Sequence, residues 1–197
     1  KHERKKSSDI IEIHNRPNYL KFLVDRLNNR VYTLFFHNDP LTMVGSKSIE
    51  ERKYLLKNCY RIIFNSNWSK KRFLEKMENK FINSEKLQVA FQSTIKPLNV
   101  NIDKKKNWIT FVGKLNRAKG YDIFGKSVIK VLNKFPDWSA KIVGDERREE
   151  INFNHKRLNK LGFLKHNEVL NIFKETSIAV VCSRWDEPFG RTSLEAA

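Results

Sequence analysis

A short apolar run, a polar or glycine-bearing turn and a helical stripe of apolar side chains recur in that order along most of this chain. Short apolar runs alternating with period-3.6 stripes leave few architectures open. Strands joined through helices pair in parallel, with right-handed crossovers, and ligands gather outside the carboxyl ends of the strands. The expected fold class is therefore α/β, built from doubly wound parallel sheets.

The first half follows this grammar. Residues 9–14 read as a strand that ends at Asn15-Arg16-Pro17, where proline blocks the ladder. Leu20, Leu23, Val24 and Leu27 mark a helix over 19–27, broken at Asn28-Asn29. Val31–Phe36 is the next strand and exits into His37-Asn38-Asp39-Pro40, so His14 and His37 fall on one sheet edge. Ser48-Ile49-Glu50-Glu51 is a capping box opening a helix to about residue 57. Residues 61–67 form a strand and its exit. A basic helix over 68–77 follows, with Trp68, Phe73, Leu74 and Met77 on its apolar side. Its Lys70, Lys71, Arg72 and Lys76 make either a solvated face or a contact with anionic lipid. Residues 87–91 complete this sheet, while residues 1–8 read as a loop or a frayed helix end. Pro97, asparagines and a lysine run then mark a linker. The expected division is a first domain over 1–96, a linker over 97–107 and a second domain over 108–197.

The second domain opens with a strand over 108–112, then Gly113-Lys114-Leu115-Asn116-Arg117-Ala118-Lys119-Gly120, then a helical stripe from Tyr121. Gly113 allows close backbone approach, Gly120 relieves the turn into the helix, and Lys114, Arg117 and Lys119 supply cations. The loop is neither a Walker loop nor a dinucleotide fingerprint. A further strand over 139–144 leads to a charged loop, and a helix over 168–176 to a run over 178–182 that reads as a buried parallel strand. Pro188 and Gly190 make a tight turn, and Thr192-Ser193-Leu194-Glu195 reads as a second capping box. Amides of Phe189, Gly190 and Arg191 would then face an anion at a helix N-terminus. Glu187 and Glu195 bracket that anion site and suit hydroxyl groups better than phosphate. A ligand carrying both is a nucleotide sugar.

The net charge of +17, from 39 Lys and Arg against 22 Asp and Glu, invites a rival reading as a basic nucleic-acid-binding or nucleotide-binding module without catalysis. Nucleic-acid binding calls for aromatics interleaved with the basic residues, whereas most aromatics here sit inside apolar patterns, so no nucleic-acid partner is expected. Glycoside hydrolysis with Glu187 and Glu195 as an acid/base pair is a second rival. A helix dipole and a basic loop would keep both carboxylates ionised, which argues against it. Cys59 and Cys182 lie in apolar segments and read as core residues in a reducing, cytoplasmic setting. No run approaches the ~18 apolar residues of a membrane span. The chain opens at Lys1 and closes two residues after Glu195, so it reads as an internal segment of a longer protein, with little activity expected of the segment alone.

The Glu187-Pro188-Phe189-Gly190 turn, Glu195 eight positions beyond Glu187 and the Leu194-Glu195-Ala196-Ala197 ending resemble the signature of the retaining glycosyltransferases of family 4. The Gly113–Gly120 loop resembles that family's diphosphate loop, with Lys114 where an arginine is usual. The resemblance implies a GT-B fold, two Rossmann-like domains facing a cleft, both incomplete here. It implies transfer of a sugar from a nucleoside diphosphate to a hydroxyl of a saccharide or lipid-linked acceptor, with retention and without a metal or other cofactor. Peripheral contact with the inner face of the cytoplasmic membrane fits the same picture. It also implies roles. Gly113, Lys114, Arg117, Lys119, Phe189, Gly190 and Arg191 would cradle the diphosphate, and Gly162, Phe163 and Leu164 would read the base through their backbone. Glu195 would hold the ribose, and Glu187 the donor sugar. His37 would position the donor from the first domain.

Overall fold

A computed structural model describes residues 9–27, 29–94 and 104–197. The expected loop over 1–8, the break at Asn28 and most of the linker over 97–107 lie outside them. The chain divides into two compact units, Lys1–Gln92 and Ser93–Ala197.

In the first unit the order is β1 (Ile10–His14), α1 (Tyr19–Arg26), β2 (Val31–Phe36), α2 (Ile49–Asn58), β3 (Arg61–Phe64), α3 (Asn67–Leu74) and β4 (Leu87–Val89). The strands pair in parallel in the order β1-β2-β3-β4. Leu20, Leu34, Phe36, Ile62, Phe64 and Phe73 are fully buried between sheet and helices. The rings of Phe36 and Phe64 stack, and Phe73 tilts against both. The Ser48 capping box forms as expected: Ser48 Oγ accepts from the Glu51 amide at 3.1 Å, and the Ser48 amide donates to Glu51 Oε2 at 3.0 Å.

The basic helix is shorter than the sequence suggests. It ends at Leu74, and Lys76, at φ 62°, lies past its end together with Met77. The end is set by Arg52, which is 3 % exposed and donates from one guanidinium nitrogen to the carbonyls of Phe73 and Glu75. Helix-end carbonyls have no partner inside their own helix, and a buried cation answers them. Arg52→Met is therefore expected to lower the unfolding free energy by about 2–4 kcal/mol, measured by urea denaturation, because it leaves the buried Phe73 carbonyl and the partly buried Glu75 carbonyl without this donor. The basic face is also partly committed inward. Arg72 pairs with Asp39 at 3.0 Å and with Glu75, and Lys70 Nζ donates to the Leu87 carbonyl at 3.0 Å.

The second unit runs β5 (Lys106–Val112), α4 (Tyr121–Lys134), β6 (Ser139–Val143), β7 (Leu158–Lys160), α5 (His166–Glu175), β8 (Thr176–Val180) and α6 (Arg191–Ala196). Its sheet is also parallel, ordered β7-β6-β5-β8. Three differences from the sequence reading stand out. β5 begins at Lys106 rather than residue 108, because Lys106 pairs with Thr176 of β8. β7 was not foreseen. The expected buried strand over 178–182 instead spans Thr176–Val180 and pairs only with β5 among the described residues. Ile178 and Val181 are each 45 % exposed, and the buried member is Thr176, whose hydroxyl meets that of Thr110 at 2.7 Å. No helix among the described residues is long and apolar enough to cross a membrane.

Candidate functional site

In the second unit the strand exits are drawn together by backbone. The Gly113 amide donates to the Val143 carbonyl at 3.0 Å, and the Gly144 amide to the Gly162 carbonyl at 2.8 Å. A Cβ on Gly144 would stand 1.9 Å from the Gly113 carbonyl oxygen, and one on Gly120 would stand 2.0 Å from that of Cys182. Both positions also have positive φ, 134° and 72°. Only glycine permits these approaches.

The loop from Gly113 to Gly120 is shaped by Asn116, which the sequence reading passed over. Its buried amide accepts from the Lys119 N–H at 3.0 Å and donates to Glu146 at 3.1 Å, while its own carbonyl takes the Tyr121 amide. Arg184 is a second residue missed. It forms a two-pronged pair with Asp122 at 2.7 and 2.8 Å, donates to the Arg117 carbonyl, and its amide donates to that of Ala118. Arg184 therefore fastens the β8 exit to the loop after β5. The side chains of Lys114 and Arg117 are exposed and take no ion pair among the described residues, although the Arg117 amide donates to Glu149 at 3.0 Å.

Glu187 is the centre of this arrangement. Its Oε1 accepts from Ser183 Oγ at 2.7 Å, from Trp185 Nε1 at 3.0 Å and from Lys119 Nζ, whose ammonium lies 5.1 Å from the centre of the Trp185 ring. Burial pushes the carboxyl pKa up, but the hydrogen bonds from Lys119, Ser183 and Trp185 and the Lys119 charge together leave it below the ordinary carboxylate value. The structure thus brings Lys119 and Glu187 into one cluster beside the glycine loop.

Glu195 sits elsewhere than the capping reading put it. α6 opens at Arg191 after Gly190, at φ 78°, with no side-chain cap, so Thr192 already lies inside the first turn. Glu195, with its side chain 9 % exposed, accepts from Arg191 at 2.8 Å and lies 3.8 Å from His166. Pro188 is buried and Phe189 half-buried at this turn. Gly162, at φ 70°, precedes Phe163, which is 77 % exposed, while Leu164 packs on Val143, Val169 and Phe173. Among the described residues no three His, Cys, Asp or Glu side chains cluster as a metal site.

In the first unit His37 leaves β2 with its ring against that of His14. Burial first, and the neighbouring His14 second, hold its pKa below the ordinary imidazole value.

The sequence model of the family described as "Glycosyl transferases group 1" matches residues 92–197. The lipopolysaccharide core biosynthesis mannosyltransferase LpsB of Rhizobium meliloti is 27 % identical over 125 residues, covering 58 % of this chain and 35 % of LpsB. The chain thus spans about a third of that relative's length. Among solved structures, Anabaena HepE in complex with UDP and glucose superposes with a TM-score of 0.67 at 16 % identity, covering 95 % of this chain and 56 % of HepE. A glycosyltransferase from Rickettsia africae superposes with a TM-score of 0.70 at 20 % identity, covering 99 % and 56 %. These two likenesses are of fold, and the fold is of GT-B type.

Proposed function

Because this chain belongs to the glycosyl transferases group 1 family, we propose that the protein moves a sugar from a nucleoside diphosphate to an acceptor hydroxyl, with retention at the anomeric carbon as in family 4. The carrying observation is the cluster of Lys119, Glu187, Ser183 and Trp185 where the β8 exit meets the glycine loop after β5. A loop that ends a strand with backbone amides and cations suits a diphosphate, and a carboxylate held ionised beside it suits the hydroxyls of a sugar.

Breaking the sugar–phosphate bond puts negative charge on the diphosphate and positive charge on the ring. Lys119, with Lys114 and Arg117 from the same loop, meets the first. A diphosphate arriving there competes with Glu187 for the Lys119 ammonium. Glu187 keeps Ser183 and Trp185, so it stays ionised while its other oxygen accepts from donor-sugar hydroxyls. Glu195 holds the ribose once Arg191 yields to it, the backbone of Gly162, Phe163 and Leu164 reads the base, and the turn at Phe189 and Gly190 meets the phosphates. His37 contributes a hydrogen bond to the donor sugar. The mannosyltransferase name of LpsB and the UDP and glucose bound by HepE support a nucleotide-sugar donor. The acceptor in this reading is an envelope saccharide or lipid-linked saccharide, met in the cytoplasm or at the inner membrane face.

Calorimetric titration of UDP, GDP and ADP into the full-length protein, without added metal, tests the reading. One nucleotide is expected to bind, and Lys119→Ala to weaken it at least about tenfold, as loss of a charge-assisted bond does. Binding of none of the three, with tight and salt-sensitive binding of RNA instead, would sink it.

A further inference from the structure

Three successive strand exits of the first unit converge on His37. From the β1 exit, Asn15, at φ 58°, accepts through Oδ1 from the amides of His37 and Asn38 at 3.1 and 3.2 Å. From the β3 exit, the buried Asn65 donates to the His37 carbonyl at 2.9 Å, and Ser69 Oγ fixes that amide by donating to Asn65 Oδ1 at 2.7 Å. The left-handed backbone at a non-glycine residue and the buried amide both serve to hold this one backbone still.

The ring is held as closely. His14 stacks on Phe35 with centroids 4.4 Å apart, and its plane lies within 5° of the His37 plane. His14 Nδ1 faces His37 Nε2 at 3.1 Å, and His14 Nε2 faces Glu12 Oε2 at 3.4 Å. Two lone pairs do not face each other at that separation, so one of the two facing nitrogens carries a proton. Glu12 decides which. A carboxylate accepts, so His14 carries its proton on Nε2, and in the neutral pair its Nδ1 is bare. The proton between the rings then belongs to His37 Nε2, and His37 Nδ1 is left with a lone pair. No protein group among the described residues donates to that nitrogen.

We propose that Glu12 and His14 are positioning residues that fix His37 as its Nε2–H tautomer, so that Nδ1 accepts a hydrogen bond from a hydroxyl of the sugar being transferred. The arrangement is a carboxylate, an imidazole and a second imidazole in series, of which only the last meets substrate. It rests on the reading of His37 as a donor-sugar contact. Glu12 and His14 lie two residues apart on one face of β1, so a strand pattern alone leaves them looking like an ordinary exposed pair.

The test is nitrogen-15 NMR of histidine-labelled full-length protein, with the His37 resonances identified by their loss in His37→Gln. The wild type is expected to show His37 protonated on Nε2 and bare on Nδ1. In His14→Phe, which keeps the stack on Phe35 but removes the acceptor, His37 is expected to become a mixture of tautomers, with the other histidine signals unmoved. Donor KM should rise about fivefold in His14→Phe, as for one lost hydrogen bond, and Glu12→Gln should show the same change in smaller measure. A proton on His37 Nδ1 in the wild type, or an unchanged tautomer in His14→Phe, would overturn the proposal. The expected tautomers in a protein that binds no nucleotide sugar would instead uphold the relay and remove the transferase reading on which its purpose rests.

Discussion

Lys119→Met is expected to lower kcat/KM for the donor by about 10²–10³-fold, the range seen when one group that meets developing charge is removed from a site. Two effects add. The diphosphate loses a cation, and Glu187 loses the partner that most offsets its burial. The second effect has a signature of its own. In the wild type the Glu187 carboxyl titrates below its ordinary value, so its paired, ionised form contributes above that value and is lost as pH falls through the lowered one. Without Lys119, burial is opposed only by Ser183 and Trp185, and the carboxyl pKa rises. The acid limb of the pH–rate profile should therefore move to higher pH in Lys119→Met, and this limb should vanish in Glu187→Gln. A large fall in rate with an unmoved acid limb would show that Lys119 meets phosphate alone and that its pairing with Glu187 has no part in the reaction.

That pairing joins residues 68 positions apart, and the Arg184–Asp122 pair joins residues 62 apart. Sequence patterns carry no information about such contacts until a topology is in hand. What they do carry is the local grammar: β1, β2 and β3 alternate or run apolar, and each ends in polar residues, so their positions and the shared edge of His14 and His37 were legible. β7 was not, because its three residues bury only Leu158 and show no period. β8 was read as buried because its run is apolar, and among the described residues it has a paired strand on one side only. The Thr192 capping box failed for a sharper reason. Gly190 takes the left-handed conformation, which starts α6 at Arg191 and turns the capping glutamate into the partner of Arg191 at i,i+4. Glu187, Lys119 and Gly113 drew attention in the sequence because their residue types are concentrated in short segments. Asn15, Asn65, Asn116 and Arg184 were not, because each acts by bonding a distant backbone or side chain and carries no motif.

Gly144, absent from the motif reading, is where the largest structural effect is expected. Gly144→Ala places a Cβ at 1.9 Å from the Gly113 carbonyl oxygen, a separation that no real contact tolerates, and does so at φ 134°, where an L side chain is strained in open space as well. The obstacle is backbone at the end of β5, not the tip of a flexible side chain, so relief requires the β5 and β6 exits to part. Parting them breaks the bond from the Gly113 amide to the Val143 carbonyl and shifts the loop that carries Lys114, Arg117 and Lys119. A loss of more than about 4 kcal/mol is expected in the second unit, enough to unfold it at room temperature. Gly162→Ala separates the two causes. Gly162 has a positive φ of 70° but nothing within 4 Å of the added carbon, so it should lose only about 1–2 kcal/mol from conformation alone. Urea denaturation of both variants, followed by Trp fluorescence, compares them directly. Equal losses would mean that backbone conformation, not the approach of two strand ends, explains why position 144 is glycine. A far larger loss at 144 would mean that the loop after β5 owes its place to a contact between two main chains.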